Sequence, residues 1–162
     1  MLKIYNIREK QEYLEEVVTL TRLEWGNKND TKEEFNNKVK EKIEIIKNNF
    51  DNPYFAKLVL LDDNNLVGFI SLFEKDGDRI DLKPWYATMY VKKEYRGKGY
   101  SKILNDAILK EAKKRGFERV YLKTDLINYY EKFGAIHMED LSNGEKLYYI
   151  DIKWRWKSSF LF

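Results

Sequence analysis

The spacing of apolar positions divides the chain into an ordered series of strands and helices. Leu2 to Ile7 reads as a first strand. Leu14, Val17, Val18, Thr21 and Trp25 then recur at helical spacing, and Gly26-Asn27 supplies a stop signal. In Thr31-Lys32-Glu33-Glu34 the Thr hydroxyl and the Glu carboxylate can satisfy orphan backbone donors as a capping box. Phe35, Val39, Ile43, Ile46 and Phe50 continue that second helix along one apolar face.

After Pro53 the period changes to that of strands. Tyr54–Leu61 and Leu66–Phe73 flank the polar turn Asp62-Asp63-Asn64-Asn65 and predict a hairpin, with the almost wholly apolar second strand central in the sheet. A connection around Asp76-Gly77-Asp78 leads to a strand at Trp85–Val91. This strand runs into Arg96-Gly97-Lys98-Gly99-Tyr100-Ser101 and then a helix with Leu104, Ala107, Ile108 and Ala112 inward. Lys113, Lys114 and Arg115 complement that helix's C-terminal dipole, and Gly116 is placed to end it. Arg119–Thr124 alternates as a strand, Asp125 is placed to cap a short helix through Phe133, and Gly134 stops it. Ala135–Met138 and Lys146–Trp154 flank an Asn143-Gly144 turn as a last hairpin. The order β-α-α-β-β-β-α-β-α-β-β predicts an α+β fold with a mixed sheet, parallel only in the strand-helix-strand unit from Trp85 to Thr124. No repeat, low-complexity run or linker interrupts it, so residues 1–162 are expected to form a single domain.

Composition narrows the chemistry. With 43% apolar residues and 15% aromatics against 35% charged, the chain has ample material for a core. The absence of cysteine excludes disulfides and a thiol nucleophile. With one histidine, His137, zinc chemistry is not expected, and no metal is predicted. Apolar runs such as Leu66–Phe73 are far shorter than the roughly 20 residues that span a bilayer. The segment from Met1 to Tyr13 carries charges where a signal peptide would need an apolar stretch, so the expected location is the cytoplasm. The net charge of +3 is interspersed and by itself selects no partner.

A glycine-containing turn between a strand and a helix presents backbone N–H groups at the positive end of the helix dipole, an arrangement suited to phosphate. The turn at 96–101 is not a Walker A loop, because Lys92 stands at the first glycine position and Gly99 replaces the Ser/Thr. The dinucleotide fingerprint fails at Lys102. The segment from Met89 to Ser101 resembles motif A of the GNAT family of N-acetyltransferases, whose signature is R-x-x-G-x-G/A, with Ser101 where Gly or Ala is usual. A second segment, Asn128-Tyr129-Tyr130-Glu131-Lys132-Phe133-Gly134-Ala135, is similar to that family's Y-E-K-x-G-F, with Ala135 in place of Phe. The two motifs span about Leu66 to Met138, and the element order extends the resemblance over the whole chain.

The resemblance implies acetyl-CoA as co-substrate, with its pyrophosphate on the backbone of Arg96, Gly97, Lys98, Gly99, Tyr100 and Ser101 and its pantetheine arm along Met89, Tyr90 and Val91. It also implies a local splay of that strand that aims an N–H at the thioester carbonyl. Lys98 and Lys102 are placed to add charge-assisted bonds to phosphate, with Arg96 favoured, and Asn128 to bond the pantetheine amides or to cap its helix. Tyr130 matches the family tyrosine that protonates the departing sulfur; its other reading is a core aromatic in register with Ile127 and Phe133. The strand Trp85–Val91 lacks the carboxylate that often serves as general base. Candidates are Asp81 first, then Glu24, Asp30 and Glu33, each of which also reads as a solvated charge or helix cap. His137 is expected to be a packed or hydrogen-bonded core residue, and Trp25 and Trp85 either wall the acceptor pocket or fill the core.

The expected activity is transfer of acetyl to a primary amine of a small molecule or peptide by direct attack. Glu33, Glu74, Asp76, Asp78 and Asp81, with Trp25 and Asp30, favour a cationic acceptor. The alternative is a non-catalytic acyl-CoA sensor or interaction module. Nucleic-acid and membrane partners are not expected. The aromatic and basic tail from Lys153 to Phe162 reads as Trp154 completing the last strand, with Trp156, Phe160 and Phe162 over a sheet edge or a second copy, in a monomer or homodimer.

Overall fold

In the computed structural model, which describes residues 1–153 and 155, the strands are β1 (Leu2–Asn6), β2 (Ala56–Asp62), β3 (Asn65–Phe73), β4 (Trp85–Val91), β5 (Arg119–Thr124), β6 (Ile136–Asp140) and β7 (Lys146–Asp151). The helices are α1 (Leu14–Trp25), α2 (Lys32–Asn48) and α3 (Tyr100–Lys114). The strands form one mixed sheet in the order β1-β2-β3-β4-β5-β7-β6, in which β4 and β5 alone run parallel.

The period of two in β2 and β3 gives each face of the sheet its own core. Leu58, Leu60, Ile70 and Leu72 meet Leu104 and Ile108 of α3 on one face, while Val59, Leu61 and Phe69 meet Val17, Val39 and Ile46 of α1 and α2 on the other. Local signals set the ends of the elements. The Thr31 hydroxyl accepts the Glu34 N–H at 3.1 Å at the start of α2. Gly116, at φ +89, closes α3, with its N–H on the Lys113 carbonyl and the Phe117 N–H on the Ala112 carbonyl.

Two irregularities in β4 open the sheet. Its pairing with β5 is confined to Trp85 opposite Tyr121, so the strands part toward the C-terminal end of β4. Against β3 the register slips by one residue, leaving Thr88 and Met89 opposite Ile70 alone as a β-bulge, with Thr88 at φ +50. That angle is unusual for a β-branched residue.

Three expectations are corrected. The helix expected from Asp125 to Phe133 is a loop ending in a single 3₁₀ turn, Tyr130–Phe133. The segment leaves Thr124 in a turn in which the Thr124 hydroxyl, not Asp125, accepts the Leu126 N–H, and Asn128 at φ +55 breaks any helical run. The last strand ends at Asp151 rather than at Trp154: the Ile152 N–H to the Glu118 carbonyl is the last ladder bond to β5, because β5 begins at Arg119 and the Phe117 N–H is taken by the end of α3. His137 is exposed on edge strand β6, hydrogen-bonded to Asp140 at 2.8 Å, rather than packed in the core. The expected roles of Trp154, Trp156, Phe160 and Phe162 lie outside the described residues.

Gly68 of β3 lies where the sheet, α3 and the bulged strand converge. A Cβ there would fall 2.4 Å from the Tyr90 carbonyl oxygen and 3.1 Å from Leu104 Cδ1. Gly68→Ala is therefore expected to destabilise the protein by about 1–3 kcal/mol. Urea unfolding of the two proteins checks this, and equal midpoints would contradict it.

Candidate active site

Where β4 and β5 part, a cavity of about 540 Å³ opens between the bulge, the N-terminus of α3 and the loop after β5. Met89, Tyr90 and Val91 form one wall. Arg96, Gly97, Gly99, Tyr100 and Ser101 form a second, and Tyr130 with Tyr129, Leu126 and Lys132 a third. Residues singled out in two segments 30 positions apart thus share one cleft.

The glycine turn is built for an anion. Gly97 and Gly99 have φ of +78 and +81, the left-handed region that glycine enters without penalty, and neither would meet a protein atom within 4 Å if a Cβ were added. Backbone conformation, rather than crowding from the protein, is what requires glycine there. Gly99 caps α3 without a side-chain bond, so the first-turn N–H groups remain for a ligand. Arg96 is held in the turn by its Nε donating to the Val91 carbonyl at 2.8 Å, with its guanidinium 5.6 Å over the Tyr90 ring. Lys98, Lys102 and Asn128 do not line the cleft. The Lys98 ammonium lies over the Tyr95 ring, Lys102 pairs with Asp106 at 2.7 Å, and Asn128 is exposed in its turn.

Tyr130 is fixed by rings on several sides. Tyr86 and Tyr129 meet it edge-on at 5.8 and 4.8 Å, and Phe133 lies at 6.3 Å. Tyr86 in turn donates to Asn105 of α3 at 2.8 Å, a buried bond from strand to helix that no sequence motif marks. Tyr148 of β7 anchors the 3₁₀ turn through Glu131 at 3.1 Å. Burial, with a smaller contribution from Tyr129, pushes the Tyr130 phenol up to about 12, so it stays protonated through neutral pH.

The other end of the cleft is formed by α1, through Glu24 and Trp25. Trp25 meets Tyr90 edge-on at 6.3 Å. Three ion pairs hold α1, one at its start and two near its end. Lys92, just after β4, reaches Glu16 at 2.6 Å, and Asp30, whose side chain is 3% exposed, joins Arg22 of α1 at 2.5 Å to Lys38 of α2 at 2.8 Å. Lys38 and Arg22 hold the Asp30 carboxyl below the usual carboxylate range, so this brace persists at neutral pH and is lost as acid protonates Asp30.

Of the four carboxylates considered as bases, Glu24 lines the cleft and the others do not. Asp81, ranked first from the sequence, sits in the connection at the far end of β4, exposed and paired with Arg79, which also binds Glu139. Asp30 is occupied by its two cations, and Glu33 lies exposed in the first turn of α2. Much of the acidic connection before β4 is neutralised: Glu74 faces Lys83 and Asp76 pairs with Lys123. Trp85 is wholly buried and fills the core, while Trp25 is half exposed at the cleft. Among the described residues no group of His, Cys, Asp or Glu side chains is arranged to hold a metal ion, and no helix is long and apolar enough to cross a membrane.

Comparison with known proteins agrees with this architecture. No curated protein sequence matches the chain. An aminoglycoside 6'-acetyltransferase type Ii superposes with a TM-score of 0.68 at 22% identity, covering 94% of this chain and 97% of the other. The spermidine/spermine N-acetyltransferase SpeG from Vibrio cholerae gives 0.70 at 16% identity, covering 98% and 99%. The PaiA N-acetyltransferase from Thermoplasma acidophilum, solved with coenzyme A, gives 0.63 at 23% identity, covering 93% and 99%. These likenesses establish the fold. The family model described as the acetyltransferase (GNAT) family matches residues 14–135, most of the chain, and the protein belongs to that family.

Proposed function

We propose that the protein is an N-acetyltransferase that moves acetyl from acetyl-CoA to a primary amine, with a cationic small molecule or peptide as acceptor. One juxtaposition carries this reading: a glycine-built anion site, a bulged strand and a half-buried protonated tyrosine line the same cleft, with a carboxylate at its other end. The helix N-terminus would take the diphosphate of the coenzyme, and the unpaired backbone of the bulge would face its acyl group. The amine nitrogen attacks the thioester carbonyl, and a backbone N–H stabilises the oxyanion. As the C–S bond breaks, the Tyr130 O–H gives its proton to the sulfur, and the proton lost by the amine passes toward Glu24 through water. No residue becomes acylated, in keeping with a chain that has no cysteine.

The printed substrates of two structural relatives, aminoglycosides and spermidine or spermine, are cationic amines, which supports the acceptor class. Among the described residues Glu24 forms no ion pair, so its charge is available at the cleft. The reading is tested by thiol release from acetyl-CoA over a panel of polyamine, aminoglycoside, lysine peptide and neutral amine. Turnover with cationic members is expected. Coenzyme binding without turnover of any amine would instead favour an acyl-CoA sensor, and equal turnover of neutral and cationic amines would remove the cationic preference. Glu24→Gln is expected to lower kcat/KM for a turned-over cationic amine by about 10- to 100-fold with coenzyme affinity unchanged. An unchanged kcat/KM would take Glu24 out of the site.

A further inference from the structure

Lys57 is a lysine in a core. It is the second residue of β2, with 2% of its surface exposed, among Phe69 and Phe73, whose ring centres are 5.5 and 5.6 Å from its ammonium. Among the described residues no carboxylate pairs with it. Its partner is Ser71 of β3, directly opposite in register, with Nζ and Oγ at 2.5 Å. Ser71 Oγ also receives the Thr88 hydroxyl at 2.8 Å. The chain Lys57–Ser71–Thr88 thus crosses three strands and ends on the left-handed residue of the β4 bulge, beside Met89 of the cleft.

A buried amine without an anion is retained at a cost to stability, and a hydrophobic side chain of similar length would relieve it. Resting on the coenzyme reading of the cleft, we propose that Lys57 is a positioning residue for acetyl transfer. Through Ser71 it orients the Thr88 hydroxyl, and so holds the strained bulge in the conformation that faces the acyl group of the coenzyme. Nζ donates to one lone pair of the Ser71 oxygen and the Thr88 hydroxyl to the other, so Lys57 fixes the acceptor that holds the bulge; without it the Ser71 hydroxyl is free to turn its own hydrogen toward Thr88 and release that bond.

Burial, aided by Lys42 of α2, lowers the Lys57 pKa to about 7, and Nζ can donate to Ser71 in either protonation state. Because the unfolded chain takes up the proton at a higher pH than the folded one, stability declines as pH falls from the ordinary lysine range to about 7 and then levels.

Acetyl-CoA binding by calorimetry tests the inference, with wild type, Lys57→Met, Ser71→Ala and the double variant, each checked for folding by thermal melts. Each single variant is expected to bind acetyl-CoA about tenfold more weakly, and the double variant no more weakly than either single, because both losses pass through the Thr88 bond. Lys57→Met is expected to raise Tm while it weakens binding, since it removes a buried amine, which separates positioning from stability. Unchanged affinity in folded Lys57→Met, or losses that add in the double variant, overturns the inference. If wild type binds no acetyl-CoA, the coenzyme reading itself falls, and this inference with it.

Discussion

Tyr130→Phe is expected to lower kcat by about 100-fold or more while acetyl-CoA affinity changes by no more than about twofold. The substitution removes one oxygen and leaves the ring among Tyr86, Tyr129 and Phe133, so the 3₁₀ turn and the cleft wall remain. What is lost is a proton donor. With its phenol pushed up to about 12, Tyr130 is protonated throughout the working range and meets the thiolate as an acid. Steady-state rates and calorimetric Kd values for the two proteins check this. An equal loss of rate and affinity would make Tyr130 a structural residue of the wall.

The second large effect is expected at Gly99→Ala. An added Cβ meets no protein atom, so the fold is retained, but an L-residue at φ +81 costs about 1–2 kcal/mol and relaxes the turn that starts α3. The methyl group also occupies the space through which a diphosphate would approach the N–H groups. Coenzyme A affinity is expected to fall about tenfold or more, with a small decrease in Tm. Calorimetry and a thermal melt separate the two. A large loss of Tm with unchanged affinity would place Gly99 in folding alone.

The parts of the fold written in short-range chemistry were legible in the chain. The Thr31 cap, the Gly116 stop and the switch to strand period after Pro53 each follow from a few neighbouring residues. The glycine turn and Tyr130 were legible because their motifs are contiguous, and the structure brings both to one cleft. Selecting among distant carboxylates depended on where long connections carry them. Asp81 finds Arg79 nearby and stays in an ion pair, whereas Glu24 is carried to the cleft by a helix whose end is braced through Asp30. The helix expected before Gly134 failed because Thr124 and Asn128 favour turns locally, and too few residues remain to repay helix nucleation. The register slip that bulges β4 arises from pairing with β3 and leaves no pattern in the strand itself. Lys57 did leave one, a single charge inside the apolar run Phe55 to Leu61, yet its partner Ser71 is identified only by the register of the hairpin.

The central claim is direct passage of acetyl from coenzyme to amine within this cleft. It is tested most directly by mixing the protein with acetyl-labelled acetyl-CoA and a polyamine, quenching over a time course, and following the masses of protein, coenzyme and amine. The label is predicted to appear on the amine as it leaves the coenzyme, with the mass of the protein unchanged at every time point. Label that stays on the coenzyme, or that collects on the protein before reaching the amine, would contradict it.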